Sequence, residues 1–567
     1  MFSRRWVVVS IIGLLAFLWI QVGPGIRTML TEESTGVLSR DDAQAAAFGL
    51  AESRWGIERG QVAATQLTHR SDNDAIAYLS REKLLGDYEE QWDASYPTDV
   101  YRADLQLADG RWLRLELHML TGKLVGWAWF GEAGGAASDP TASNSPVYDD
   151  AQSASTSASP ASDSPSASDV KAFLKTWGYE PAEWEATGGV TENGDFVYQS
   201  RKAPLGEARL QLLVKPNESI SYRLLLPDSF TAYLDKQEER ATKWSLTGYL
   251  LPMIVLFVLS IAYAIRYRRW TSLRRGWLLS LAYFGLYAAF TWNMIAGFRS
   301  QSDGQGAPST DGSVEALIIL NVFILAATAI LTSFSASGGD GLWRSMGFKL
   351  WPSWRDADFG GQVLRSMKTG YGLGLIILGA QSVIFLGLDG WLGSFTGSDA
   401  SQSTYNMTYP WLLPSLAWCA GISEELIYRF FAFALFRRWL IGLARLVTGR
   451  EPGRLAAGAL TFAAMLPPSL FWAFGHVGYP IYPVQSRVIE LMIIGVLIGW
   501  FLLRFGLMAV IFAHVTLDAI LMSVQLIFDG LPYDPVSGLI SMTMPALVGL
   551  ALWKLHGRFS KSRPGVE

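Results

Sequence analysis

From about residue 245 onward the chain is a succession of apolar stretches, each long enough to cross a bilayer. A hydrocarbon core takes roughly 20 helical residues, and within it only helices or closed barrels satisfy every backbone polar group. Stretches near 245–265, 275–298, 313–335, 368–388, 410–436, 456–477, 488–505, 507–527 and 538–555 meet that length. With an earlier apolar run from Trp6 to about Val22, they predict about ten transmembrane helices. The connections support the same reading. Arg266, Arg268, Arg269, Arg274 and Arg275 separate the second and third spans, and Arg437, Arg438, Arg445, Arg450 and Arg454 follow the sixth. Arg504 ends the eighth, and Lys554, Arg558, Lys561 and Arg563 mark the tail. Lys and Arg gather on cytoplasmic loops. Both termini of a plasma-membrane protein are therefore expected inside, with residues about 29–243 outside. Gly23-Pro24-Gly25 makes a poor small-residue cleavage site, so residues 1–28 are read as an uncleaved signal anchor.

Composition removes several classes of function. A formal net charge of -4 over 567 residues provides no basic face for nucleic acid. The single cysteine, Cys419, excludes an intrachain disulfide and a thiolate-rich metal site, and its apolar setting suits a packed core residue.

The polar region before the spans is divided by residues 134–168, rich in Ser, Ala, Pro and Asp, which read as a flexible linker. On either side, 29–133 and 169–240 show one order: a helical pattern (Asp41 to Trp55; Ser168 to Trp177), then alternating strands such as Val100 to Leu107 and Ser219 to Leu226. Two small extracytoplasmic α+β modules are expected. Their strand-Asp-Gly-strand-Thr-Gly pattern resembles PepSY-type domains over short stretches, which implies that they bind a ligand or partner. His69 and His118 stand alone and are read as surface or strand positions. Between Gly338 and Thr369, Trp343, Trp351 and Trp354 among basic residues read as a cytoplasmic interfacial segment with aromatic anchors. His556 is read as interfacial too. Residues 241–405 are then read as transmembrane helices with this cytoplasmic amphipathic loop, 406–556 as the core of interest, and 557–567 as a cytoplasmic tail.

Ionisable groups inside a membrane are costly, so each needs a partner or a task. Three spans in the last third carry them. Glu425 and Arg429, four apart, share a helix face and can neutralise one another. Glu424 points about a third of a turn away and is free to act as a general base toward water. Trp472 and His476 are four apart, as are His514 and Asp518. Two imidazoles and a carboxylate converging in a bundle can activate a water for peptide hydrolysis or stabilise the resulting oxyanion.

Glu424-Glu425-x-x-x-Arg429, Trp472-x-x-x-His476 and His514-x-x-x-Asp518, in that order on separate helices, resemble the motif set of the CAAX-protease and bacteriocin-processing family. That family of intramembrane glutamic endopeptidases includes the Ras-converting CAAX enzyme. The resemblance covers roughly 405–530. It implies that Glu424 and His476 activate the water, that His514 and Asp518 hold the oxyanion, and that Glu425, Arg429 and Trp472 shape the site. The implied substrate is a membrane-associated peptide or protein. Trp472 stands where the family more often has Phe, an exchange of one packing aromatic for another. Asp518 stands where Asn is commoner, and an ionised carboxylate accepts but does not donate. Asp518 is therefore either protonated or orients His514. A straight helix from Ala456 would carry His476 above Glu424 unless Pro467-Pro468 kinks it. Three rival readings remain: polar groups that only join helices, a zinc metalloprotease using the Glu and two His, and a non-proteolytic scaffold or sensor.

Overall fold

The computed structural model describes residues 3–24, 36–131, 167–191, 193–202, 204–302, 307–308 and 311–561. The linker expected at 134–168 lies almost wholly outside them. The protein is a multi-pass α-helical membrane protein carrying one antiparallel sheet domain.

Helix α1 (Arg4–Val22) leads into that domain. It opens with α2 (Arg40–Trp55), capped by Ser39, whose hydroxyl accepts from Asp42 N at 3.2 Å, and closed by left-handed Gly56. Strands β1 (Val62–Ser71), β2 (Asp99–Leu107), β3 (Trp112–His118) and β4 (Leu124–Phe130) form one meander. Strands β5 (Trp184–Val190), β6 (Phe196–Ser200), β7 (Arg209–Lys215) and β8 (Ser219–Leu225) form a second. Register is fixed by opposite-charge pairs facing each other across β2 and β3: Arg102 with Glu116 at 2.9 Å and Asp104 with Arg114 at 2.7 Å. The two meanders join at their last strands, through Trp127 opposite Ile220 and Ala128 opposite Ser219. The result is one eight-stranded sheet, ordered β1-β2-β3-β4-β8-β7-β6-β5.

The membrane part contains α3 (Asp228–Arg266), α4 (Leu273–Asn293), α5 (Gly312–Ser345) and α6 (Phe359–Leu392). A helix at 415–448, α7, follows, then α8 (Arg454–Phe474), α9 (Val484–Phe505), α10 (Leu507–Phe528) and α11 (Asp534–Phe559). Among the described residues eight helices are long and apolar enough to span. A ninth is obtained when α4 is joined to Ile295–Ser302, from which it bends by 59°. The remaining expected span lies in α7, which Glu424, Glu425, Arg429, Arg437 and Arg438 make less apolar than its neighbours.

The sheet domain is fastened at one end of the bundle. His69 N donates to Asn406 Oδ1 at 2.7 Å, and Asn406 Nδ2 donates back to His69 O at 3.0 Å. Arg40 Nη1 reaches Tyr405 O at 2.8 Å, and Val37 N reaches Gly530 O at 3.2 Å. His69 and His118 do sit on strands, yet both are buried. The arginine-rich connections gather at the other end. There Trp343 is fully buried and donates its indole N–H to Phe430 O at 2.9 Å. The Arg275 guanidinium stacks 3.9 Å from the Trp351 ring centre, and His556 lies between Gly360 N and Trp354 O. These tryptophans are internal packing groups rather than lipid anchors, because Arg275 and the α7 backbone give them polar partners inside the fold.

Candidate active site

The site is built where α7 changes pitch. Residues Ser415–Glu424 are α-helical, Glu425–Ala432 form a π-helical turn, and Phe433–Thr448 resume the α-helix. Such turns widen the helix and occur frequently at functional sites. All of Glu425–Ala432 is buried. Here Glu425 Oε1 lies 3.4 Å from Arg429 Nη1, the pair expected from the spacing. The Arg429 guanidinium carbon stands 3.8 Å from the Trp472 ring centre, so the cation is covered by an aromatic face as well as faced by a carboxylate.

Helix α8 is interrupted at Ala464 and Met465, and its second segment, Leu466–Phe474, starts with the proline pair in its first turn. Trp472 lies in that segment and donates its indole N–H to Glu424 Oε2. Glu424 is therefore a hydrogen-bonded carboxylate, not an unpaired one, and Trp472 does more than pack. His476 falls just beyond the helix end. Its Nδ1 is 2.7 Å from Trp472 O, and since a carbonyl only accepts, the ring proton belongs on Nδ1. Nε2 is left facing Glu424 Oε1 at 3.7 Å.

His514, on α10, is enclosed by three carboxyl groups. Nδ1 is 2.7 Å from Glu425 Oε1, while Nε2 is 3.4 Å from Asp518 Oδ2 and 3.7 Å from Glu424 Oε2. The seven residues singled out from the sequence, on α7, on α8 and the turn after it, and on α10, are thus brought to one place. Three carboxyl groups and two imidazoles converge there, and Glu424 stands 3.7 Å from each imidazole Nε2, while only Glu425 is held in a short contact with a ring nitrogen. Among the described residues no group of three or more His, Cys, Asp or Glu is arranged to hold a metal ion.

Residues 406–520 match the type II CAAX prenyl endopeptidase Rce1-like family. All seven site residues lie inside this Rce1-like segment, and the match supports a membrane endopeptidase acting on a membrane-associated protein substrate. No curated protein and no solved structure matches the chain.

Beside the Rce1-like motifs the structure holds a charged group that sequence reading missed. Glu490, fully buried on α9, faces Arg487 Nη1 at 2.7 Å and accepts from Gln381 Nε2 at 2.8 Å. Arg487 lines the same cavity as Glu424, His476 and Asp518. The expected span 488–505 starts one residue after Arg487, so it contains Glu490 but not its partner. A buried acid three residues after an arginine in an apolar helix was the available signal.

Proposed function

We propose that this protein is an intramembrane glutamic endopeptidase of the plasma membrane, with both termini cytoplasmic and the sheet domain outside. The observation that carries the reading is that Glu424 and His476 Nε2 stand 3.7 Å apart in a half-buried, cavity-lining position, with His514 on the other carboxylate oxygen. In this mechanism Glu424 removes a proton from a water bound on the cavity side of it and His476, and the water oxygen attacks the scissile carbonyl carbon. His514, with Nδ1 committed to Glu425, turns Nε2 toward the cavity. Carrying a proton there, it donates to the oxyanion. Collapse of the tetrahedral intermediate breaks the C–N bond, and the proton taken by Glu424 passes to the leaving amine. Asp518, 3.4 Å from the same Nε2, holds the ring until the oxyanion forms and takes over that N–H. Arg429, Trp472 and Glu425 hold the arrangement rigid.

The arginine-rich connections at the end opposite the sheet domain support the orientation. The test is cleavage of a membrane-peptide library by the purified protein beside Glu424→Gln, His476→Ala and a chelator-treated sample. Loss of cleavage in both variants with no chelator effect supports this mechanism. Chelator-sensitive cleavage favours a zinc enzyme. An inert wild type with stable variants favours a scaffold that senses a ligand through its sheet domain.

A further inference from the structure

The cavity that touches Glu424, His476 and His514 is large, about 1560 Å³, and its lining reaches from there to the sheet domain. It passes Met522, Gln525 and Phe528 on α10 and ends under the sheet domain at Asp93, His118 and Leu120. From His514 to Phe528 is 528 − 514 = 14 residues, roughly 21 Å of helix at 1.5 Å per residue. Among the described residues, none from the connections 266–275, 344–358 or 437–454 lines it. Its volume exceeds the roughly 300–1,000 Å³ that holds a small molecule, and its wall is both polar and apolar, as a polypeptide segment requires. The sheet domain thus forms part of the wall of the approach, between the ends of β2 and β3 and the loop from Ser398 to Tyr405.

We propose that the chain cleaved at Glu424 enters from the sheet-domain face, so that the substrate is a polypeptide segment exposed on the extracytoplasmic side rather than a cytosolic tail. The inference rests on the protease reading for its chemistry, whereas the direction of the opening does not. Gln525 is exposed at the approach, and Lys349 is exposed at the opposite end. In full-length Cys419→Ala protein, Gln525→Cys is expected to react with a membrane-impermeant maleimide in spheroplasts of an expressing bacterium. Lys349→Cys is expected to react only in inverted vesicles from the same cells. Reaction of Gln525→Cys only in inverted vesicles overturns the proposal.

A polymer-bearing maleimide on Gln525→Cys should then lower cleavage of the peptide library at least tenfold while leaving Lys349→Cys unchanged. Labelling from the outside with unaltered cleavage overturns the entry route but leaves the Glu424 mechanism standing. If no form cleaves any peptide, the protease reading fails by itself and the labelling pattern still decides which side the cavity opens to.

Discussion

His514 Nδ1 and Glu425 Oε1 are 2.7 Å apart, and the same carboxylate oxygen lies 3.4 Å from Arg429 Nη1. One carboxylate therefore both fixes an imidazole and balances a buried guanidinium. Glu425→Gln keeps the shape but supplies an amide whose orientation is no longer dictated. We expect kcat to fall about 10²-fold, on the scale of losing one acid–base group, with KM little changed. Single-turnover cleavage measures this, and an unchanged rate counts against an orienting role. Both variants should also lower stability, Glu425→Ala by about 3–5 kcal/mol, because Arg429 is left as an uncompensated buried charge.

Trp472 offers two separable contributions, an aromatic face for Arg429 and an N–H for Glu424. Trp472→Phe retains the first and removes the second. A hydrogen bond to a charged group contributes up to about 1.5–3 kcal/mol to stability, so a lower melting temperature is expected, together with a loss of about tenfold or more in kcat because Glu424 is no longer held in place. Equal activity of the two forms would return Trp472 to a packing role.

Asp529 sits beyond the end of α10, with Oδ1 accepting from Leu531 N at 3.0 Å. Burial, and then the nearby Asp534, push its carboxyl up to about 8. The folded value lies above the unfolded one, so proton binding favours the fold. That contribution is complete below about pH 4 and is lost as pH rises through about 8. Asp529→Asn keeps the acceptor without the charge. It should melt above the wild type at about pH 8 and converge with it toward about pH 4, as thermal scans in detergent across that range can establish.

Gly379 on α6 faces Gly13 on α1 so closely that a Cβ built on either would overlap the other helix backbone. Small residues let membrane helices approach in this way. Gly379→Ala is expected to cost about 1–3 kcal/mol, the usual scale for overpacking, visible as a lower melting temperature with the active-site geometry preserved. Unchanged stability would show that α1 can shift without penalty.

The seven site residues were legible because ionisable groups are rare in spans and because helical spacing sorts them by face. The Glu425–Arg429 pair follows from that spacing even through a π-turn. What sequence did not reveal were relations formed by tertiary contact: the indole donor on Glu424, the arrest of α8 before His476, and the inward turn of Trp343 and Trp351. Strands β2, β3, β4, β7 and β8 alternate cleanly and could be read. β1, β5 and β6 interrupt that pattern with small and polar residues, as in Val62-Ala-Ala-Thr-Gln-Leu-Thr-His69. Two residue pairs between β4 and β8 turn two expected modules into one sheet, and no local pattern encodes pairing across a linker of that length.

The contact of α1 with α6 also sets a timetable for biogenesis. Gly13 and Gly379 are 379 − 13 = 366 residues apart, and synthesis at roughly 5–20 residues per second separates their appearance by about twenty seconds to a minute or more. During that interval α1 faces lipid on the side it will later bury. Ser10 meets the delay locally: its hydroxyl donates to Trp6 O at 2.8 Å within its own helix, and Gly372 O, at 2.9 Å, becomes available only when α6 arrives. Helix α1 can therefore wait in the bilayer with its Ser10 hydroxyl hydrogen-bonded before its permanent neighbour exists.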